Sequence, residues 1–241
     1  MRTAKRENYW VSLSDLMTGL MVIFMFIAIA YIQEVKSEQK EREAIIKEYR
    51  DTRVNLYLAL KKEFEEDFRA EKWHAQLDED LSIRFMNEEV LFEFDRANLQ
   101  TDFKQILGEF FPRYLSILLN DKFKDQIAEV RIEGHTDSQG SYMYNVELSQ
   151  LRTANVLKFL LFRSNSMYNN MNNEEKVLIR YWFTANGFSY GRTIDTNGDY
   201  TIESGKREDR VKSRRVEFRI ITKSEQVVKE IIKSLEESGD I

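Results

Sequence analysis

The run EGHTDSQG, residues 133–140, decides the fold because it joins a predicted strand to a predicted helix through a polar turn. Residues 127–133 alternate between apolar and polar side chains, as a half-exposed β-strand does. Residues 145–162 place apolar side chains at helical spacing. The stretch therefore predicts a strand, a turn and a helix in direct succession.

Strand and helix patterns continue on both sides of this unit. They predict strands at residues 81–85, 90–92 and 214–221, a helix at 102–119, and a short last helix at about 225–237. Strands separated by helices indicate an α/β sandwich, in which helices pack on one face of a mixed sheet. We therefore expect one domain of this class over residues 80–222.

This region contains three short motifs. They are the turn Gly134-His135-Thr136-Asp137, the helix start Asn145-x-x-Leu148-Ser149-x-x-Arg152, and the strand Arg214-Arg215-Val216-Glu217. Together they are very similar to the motifs of the OmpA-like peptidoglycan-binding domain, and the resemblance extends over about residues 81–222. It implies a domain that binds the bacterial cell wall.

The side chains of these motifs suit a wall peptide. Its diaminopimelate residue ends in an ammonium and a carboxylate, so a pocket needs one anion and one bidentate cation held apart. Asp137 supplies the anion and the Arg152 guanidinium supplies the cation. The candidate wall-binding residues are Asp137, Arg152, Thr136, Tyr144, Asn145, Leu148, Arg214 and Arg215.

Several of these residues also have ordinary structural alternatives. These are a helix cap for Asn145, an internal salt bridge between Asp137 and Arg152, and an exposed strand charge for Arg214. His135 is expected to be a packed turn residue, because no nucleophile, base and orienting acid form a recognisable set. His74 and His135 are too few and too distant in sequence for a zinc site. We therefore expect a binding protein, without a cofactor, rather than an enzyme.

A second polar loop has part of the pattern of a calcium-binding loop. Asp195, Asn197 and Asp199 place oxygen atoms at alternate positions. Tyr200 then occupies the position of the sharp-turn glycine, and Lys206 that of the bidentate acid. A solvated insertion before the last strand is the preferred interpretation.

The N-terminal part contains an apolar run, WVSLSDLMTGLMVIFMFIAIAYI, at residues 10–32. This run is long enough to cross a hydrocarbon core of about 30 Å as an α-helix. A cleaved signal peptide is the competing interpretation, but the run is too long for one. The basic residues Arg2, Lys5 and Arg6 predict a cytoplasmic N-terminus, with the main domain in the periplasm.

Asp15 lies within this apolar helix, where an acid is costly unless it faces protein or water. Ser12 and Thr18 lie on the same helical stripe. A position near the membrane surface is the alternative explanation. The run from Tyr9 to Thr18 resembles the start of MotB-type stator subunits, which implies that Asp15, with Ser14 and Thr18, carries the ion.

Residues 33–79 are predicted to form a helical linker or plug. Residues 33–72 lack Gly and Pro, and an apolar stripe appears from the middle onward, at Ile45, Tyr49, Leu56, Leu60 and Phe64. The stripe is expected to pack on a twin helix or on the following domain. The first part of this segment has almost no stripe and is interpreted as a solvated spacer.

The composition of the chain is consistent with this division. Its 241 residues allow a membrane span, a connector and one domain, and the absence of cysteine excludes disulfides and thiolate sites. A net charge of -5 argues against nucleic-acid binding. The predicted parts are a cytoplasmic tail (1–9), a transmembrane helix (10–32), the linker (33–79), the OmpA-like domain (80–222) and a C-terminal helix (223–241).

The resemblances together imply the wall-anchored subunit of an ion-driven motor in the bacterial inner membrane, moving protons or sodium ions. They imply a homodimer inside a multi-helix MotA- or ZorA-like ring, which the family likeness makes pentameric. Residues 212–219 and the short N-terminal tail look more like ZorB subunits of Zorya anti-phage systems, which implies indirect coupling to cytoplasmic nuclease or helicase effectors. A flagellar MotB-type stator and a passive wall anchor are the alternatives.

Overall fold

The computed structural model describes residues 9–69, 73–93, 95–163, 166–225, 227–229 and 232. The helices are α1 (Tyr9–Arg69), α2 (Glu88–Leu91), α3 (Thr101–Leu118), α4 (Tyr142–Lys158), α5 (Ser166–Asn170), α6 (Asn173–Trp182), α7 (Thr201–Ser204) and α8 (Arg210–Ser213). The strands are β1 (Ala75–Leu77), β2 (Ser82–Phe85), β3 (Ile127–His135), β4 (Phe183–Gly187) and β5 (Arg215–Thr222). A short 3-10 helix (Lys124–Gln126) precedes β3, and a π-helical segment (Phe159–Arg163) follows α4.

Two of the sequence predictions concern residues that the structure does not describe. The basic residues 2–6, which predict the orientation, lie outside the described residues. So does most of the predicted C-terminal helix, of which residues 223–225 and 227–229 are described and helical. The chain divides into two compact units, residues 1–47 and residues 48–241.

The second unit contains a five-stranded sheet in the order β1-β2-β5-β3-β4. The pair β3–β4 is parallel, and the other neighbouring strands are antiparallel. The expectation of a mixed sheet within an α/β domain is therefore confirmed.

Helices cover one face of this sheet. Phe218 of β5 lies on that face and contacts Phe110 of α3, with ring centroids 5.2 Å apart. Its neighbour across the ladder is Ile132 of β3, so Gly134, two residues further on, faces the same side and lies under α4. The core is therefore a layer of apolar and aromatic side chains between the sheet and α3 and α4.

The C-terminal part of α1 belongs to the same core. Its predicted apolar stripe supplies Leu56, Leu60 and Phe64, all with no exposed surface. The Phe64 ring lies 5.2 Å from that of Phe110 and 5.9 Å from that of Trp73. The stripe was expected to pack either on a twin helix or on the domain that follows it in the chain. The structure shows it packed on that domain.

Arg113 of α3 adds a polar contact to this end of α1. Its Nε lies 2.7 Å from Glu63 Oε1, and its Nη1 lies 2.7 Å from Asp67 Oδ2. The guanidinium also stands over the Phe64 ring at 4.7 Å. Cation–π and bidentate contacts from one arginine therefore hold the last turns of α1 on the domain.

The prediction of a strand at residues 90–92 is wrong. Residues 88–91 form helix α2, and Phe92 makes only an isolated bridge to Leu99. Both Leu91 and Phe92 are buried, and a short apolar run has the same pattern in a buried helix as in a strand. Strands β1 and β4 and helix α6 were not predicted, although α6 begins with a capping box at Asn172 and Glu175 that is visible in the sequence.

Truncation of a buried residue of α1 tests the docking of this helix. We expect Leu60→Ala to lower the free energy of unfolding of the outer domain by about 2–5 kcal/mol, because it leaves a cavity in the core. Leu58→Ala is the matched control, since Leu58 is 55% exposed on the same helix. Urea unfolding of the full chain in detergent, followed by tryptophan fluorescence, measures both. Equal effects of the two substitutions would contradict the packing described above.

Candidate functional site

Helix α4 lies directly against the ends of β3 and β4. A Cβ atom on Gly134 would stand 2.7 Å from Thr153 Cγ2, and one on Gly187 would overlap the Gln150 backbone. Neither position has room for a side chain, so the glycines allow the close approach. The N-terminal turns of α4 thereby lie next to the residues that follow β3.

Residues 136–141, here called the binding turn, are held by several hydrogen bonds. Asp137 Oδ1 accepts from the Gln139 N–H at 3.0 Å, and Asp137 Oδ2 pairs with Arg214 Nη1 at 2.8 Å. The Thr136 N–H donates to Ser189 O at 3.0 Å. Asp137 is buried, with 5% of its surface exposed, so its carboxylate has a defined direction.

Asn145 ties α4 to the binding turn. Its Nδ2 donates to Gln139 O at 2.6 Å and to Ser141 O at 3.1 Å. The helix begins at Tyr142, earlier than predicted, and Ser141 is the N-cap, with its hydroxyl accepting from the Tyr144 N–H. Asn145 therefore does not cap the helix but fixes the turn.

Arg152 lies about two turns after Asn145 on α4 and is almost fully buried. Its Nε donates to Arg96 O at 3.0 Å, and its guanidinium stands over the Phe92 ring at 4.7 Å. These contacts come from the segment between α2 and α3. That segment, whose role the sequence did not indicate, orients the predicted cationic group.

The other predicted α4 residues are more accessible. Tyr144 is about half exposed and donates its hydroxyl hydrogen to Asp95 Oδ1 at 2.5 Å. Leu148 is half-buried one turn later. Together with Asn145 and Arg152, they form a surface between the binding turn and the segment 92–97.

The consecutive arginines Arg214, which directly precedes β5, and Arg215, its first residue, lie in different surroundings. Arg214 reaches Asp137 in the binding turn. Arg215 is 2% exposed, pairs with Glu217 at 2.5 Å and donates to the carbonyls of Arg192 and Ser213. Of the two, Arg214 therefore contacts the binding turn and Arg215 is directed into the buried face of the sheet.

Arg215 belongs to a buried ion network on the sheet face away from α3 and α4. Glu217 is paired with Arg84 as well as Arg215, and Glu133 is paired with Arg192 at 3.1 Å. Burial opposes ionisation of Glu217, but the neighbouring Arg215, His135 and Arg84 together outweigh it, and the pKa of this carboxyl falls to about 2. Glu217 is therefore charged at neutral pH.

His135 lies inside this network. Its ring stacks on Phe188 at 5.4 Å, and its Nε2 is 3.8 Å from Glu133 Oε2 and 3.9 Å from Glu217 Oε1. These three side chains are close enough to be considered as metal ligands. However, both carboxylate oxygens already accept from arginines, so the arrangement suits guanidinium groups better than a metal ion.

The calcium-like loop is a self-contained turn in the structure. Asp195 Oδ1 accepts from the N–H groups of Asn197 and Asp199, at 2.8 and 3.1 Å. Lys206 Nζ lies 3.6 Å from Asp195 Oδ2. A lysine ammonium therefore stands where a bound cation would otherwise balance this carboxylate.

The N-terminal part of α1 contains the third group of predicted site residues. In the described part of the chain, α1 is the one helix that is both long enough and apolar enough to cross a membrane. Its most apolar 18 residues have a mean hydropathy of 2.2, and none of them is buried. Asp15 lies in it, and Thr18 Oγ1 donates to Ser14 O at 2.8 Å. The exposed apolar side chains of this part require lipid or a partner to cover them.

Comparison with known proteins decides the family. The OmpA family profile matches residues 91–197. The Zorya protein ZorB of Escherichia coli strain Crooks is 36% identical over 235 residues, which is 94% of this chain and 93% of that protein. The chain belongs to the ZorB family. A second Zorya protein ZorB, from Escherichia coli O139:H28, is 28% identical over 89% of this ZorB-family chain and 80% of its own length.

Solved structures with partial similarity include two proteins of bacterial origin. A putative MotB-like protein from Desulfovibrio vulgaris has a TM-score of 0.43 and 20% identity, covering 76% of this chain and 99% of that one. The cell wall anchor of the type VI secretion system from Pseudomonas aeruginosa has a TM-score of 0.43 and 20% identity, covering 68% and 97%. The OmpA family match over residues 91–197 confirms the resemblance to an OmpA-like domain that the three motifs predicted for this ZorB-family chain.

The buried histidine predicts a pH dependence of stability. Burial, together with the nearby Arg215, holds the pKa of His135 below its ordinary value of 6.5. As the pH falls below 6.5, the unfolded chain takes up a proton that folded His135 does not, so the free energy of unfolding decreases.

Thermal unfolding of the full chain between pH 7.5 and about 5.5 measures this effect. We expect His135→Gln to flatten the dependence of the melting temperature on pH, whatever its effect at pH 7.5. His74→Gln is the control, because His74 is exposed and loses little solvent on folding. An unchanged slope in the His135 variant would contradict this account.

Proposed function

We propose that this ZorB-family chain is the wall-anchored subunit of an ion-driven rotary motor in the bacterial inner membrane, and that the motor serves a Zorya anti-phage defence system. The observation that carries the proposal is the combination in one chain of an apolar helix with an acid, Asp15, and a polar site around Asp137 and Arg152. The likeness to two proteins named Zorya protein ZorB supports the defence assignment.

The proposed ion carrier is the Asp15 carboxylate. An acid within a membrane-spanning helix has a high energetic cost, which a proton, a sodium ion or a water-filled path removes. Ser14 and Thr18 lie within one turn and add oxygen atoms to the same part of the helix, although the Thr18 hydroxyl hydrogen is bonded to Ser14 O. Alternate exposure of Asp15 to the two sides of the membrane by a moving partner would pass ions one at a time.

The proposed wall site pairs an anion with a cation. Asp137 keeps free acceptor positions on a carboxylate fixed by Arg214 and the Gln139 N–H, and these suit the ammonium of diaminopimelate. Arg152, oriented by Arg96 O and Phe92, suits the carboxylate. Rigid placement of both groups reduces the entropy cost of binding a flexible peptide end.

The proposed assembly follows from the function. Two copies of this chain would place their α1 helices inside a ring of a multi-helix ZorA-like partner, pentameric by family likeness. The N-terminus would lie in the cytoplasm and the outer domain in the periplasm, where it binds peptidoglycan. Nuclease or helicase effectors in the cytoplasm would respond through the partner, without direct binding of nucleic acid by this chain.

A passive wall anchor is the principal alternative, because exposed apolar side chains on α1 are equally suited to a simple membrane tether. The two functions differ in their need for Asp15. A flagellar MotB-type role differs instead in its partner and in the genes beside it.

Replacement of Asp15 separates a motor from an anchor. We expect Asp15→Asn to abolish phage protection in cells that carry the complete gene cluster, because the amide cannot take up and release a proton or balance a sodium ion. Plating efficiency of phage measures protection, and membrane fractionation verifies insertion. Asp51→Asn, on an exposed part of the same helix, is the control and should retain protection. Full protection by Asp15→Asn would exclude the motor function.

Replacement of the two charged residues of the proposed wall site, Asp137 and Arg152, tests wall binding. We expect Asp137→Ala and Arg152→Ala each to weaken binding of the full chain to isolated peptidoglycan by about tenfold or more, because each removes a charge-assisted contact. Co-sedimentation with purified sacculi measures the affinity. Arg180→Ala, on the exposed face of α6, is the control. Wild-type binding by both site variants would rule out this site.

A further inference from the structure

Glu208, in the loop between α7 and α8, contacts the binding turn at Ser138. Its Oε1 accepts from the Ser138 N–H at 3.1 Å, and its Oε2 accepts from the Ser138 hydroxyl at 2.5 Å. One carboxylate therefore binds both donors of a single turn residue. Ser138 directly follows Asp137, so the contact fixes the backbone next to the residue that is proposed to bind the ammonium.

The backbone that carries Glu208 is itself anchored. The Asp209 N–H donates to Ile194 O at 2.8 Å. Asp209 Oδ1 accepts from the N–H groups of Val211 and Lys212 and so caps α8. Helix α8 then leads directly to Arg214, which pairs with Asp137. The segment 208–214 therefore contacts the binding turn at two adjacent residues.

The remaining restraints on the turn come from elsewhere. Asn145 on α4 binds Gln139 O, and Asp137 binds the Gln139 N–H within the turn. Both act on the later part of the turn, whereas the Thr136 N–H, which donates to Ser189 O, holds its first residue. Among the described residues, Glu208 is the acceptor that holds the peptide unit between Asp137 and Ser138.

Charge gives Glu208 a second effect at this place. A carboxylate has about four acceptor positions, and Ser138 uses two of them. Its negative charge lies at Ser138, the residue that follows Asp137, and so adds to the negative potential at this part of the binding turn. Arg214 balances only part of this charge.

We propose, on the basis of the wall-binding function above, that Glu208 is a positioning residue for recognition of the ligand's amine. It directs the Asp137 carboxylate through Ser138 and adds negative charge at that end of the site. Loss of Glu208 therefore weakens the hold on the ammonium and leaves the Arg152 end intact.

Binding of a diaminopimelate-containing tripeptide to the full chain in detergent tests the proposal by calorimetry. We expect Glu208→Ala to weaken binding about tenfold. Glu208→Gln should recover part of the affinity, because its amide oxygen still accepts from the Ser138 N–H. Glu203→Ala, an exposed glutamate on α7, is the control and should bind as the wild type does.

A second ligand separates amine recognition from a general structural role. The affinity of a tripeptide analogue that lacks the side-chain amine is measured by its competition with the tripeptide, with the analogue at millimolar concentration. Glu208→Ala should lower the preference for the amine-bearing peptide about fivefold. Equal weakening of both ligands, or wild-type affinity in Glu208→Ala, would overturn the proposal. Absence of tripeptide binding by the wild-type chain would instead contradict the wall-binding function itself.

Discussion

The contact of α4 with the paired strands β3 and β4 is the constraint on which the candidate site depends. Gly134 and Gly187 leave no Cβ atom at this contact, and the helix backbone therefore lies directly on the strands. Because α4 is so close, Asn145 reaches the carbonyls of the binding turn. A side chain at either glycine would move the helix outward, and the turn would lose its support from α4.

The two faces of the sheet are stabilised by different physical means. The face under α3 and α4 buries aromatic and aliphatic side chains, and the removal of this surface from water provides most of the favourable free energy. The opposite face buries the ion network around Glu217 and His135. Buried ion pairs add little net stability, but they tolerate few alternative arrangements. Arg215 of this network donates to the carbonyl of Ser213, the residue before Arg214, so the network supports the backbone next to the site.

Helix α1 contributes residues to both compact units of the chain. Asp15 lies in its apolar N-terminal part, and Leu60 lies in the core of the outer domain. Arg113 reinforces the contact by binding Glu63 and Asp67. Apolar packing and ion pairs therefore hold the C-terminal turns of α1 on the α/β domain.

Local pattern was sufficient for several features of this chain. Alternation identified β3, helical spacing identified α3 and α4, and the length of the apolar run identified the candidate span. Three motifs identified the OmpA-like domain. The prediction of a strand at residues 90–92 was wrong, because a run of three apolar residues does not distinguish a buried helix from a strand. Strand β4, with an Asn and a Gly, carried too weak a pattern.

By itself, the sequence determined β3, α3, α4 and the candidate membrane span, and it named the candidate site residues, because periodicity and charge are local properties of the chain. The tertiary structure alone decided which of these side chains meet. It placed Arg214 at Asp137 and Arg215 in a buried network, and it brought Glu208 to Ser138 from 70 residues away. Such contacts depend on how distant segments pack, and no spacing within either segment records them.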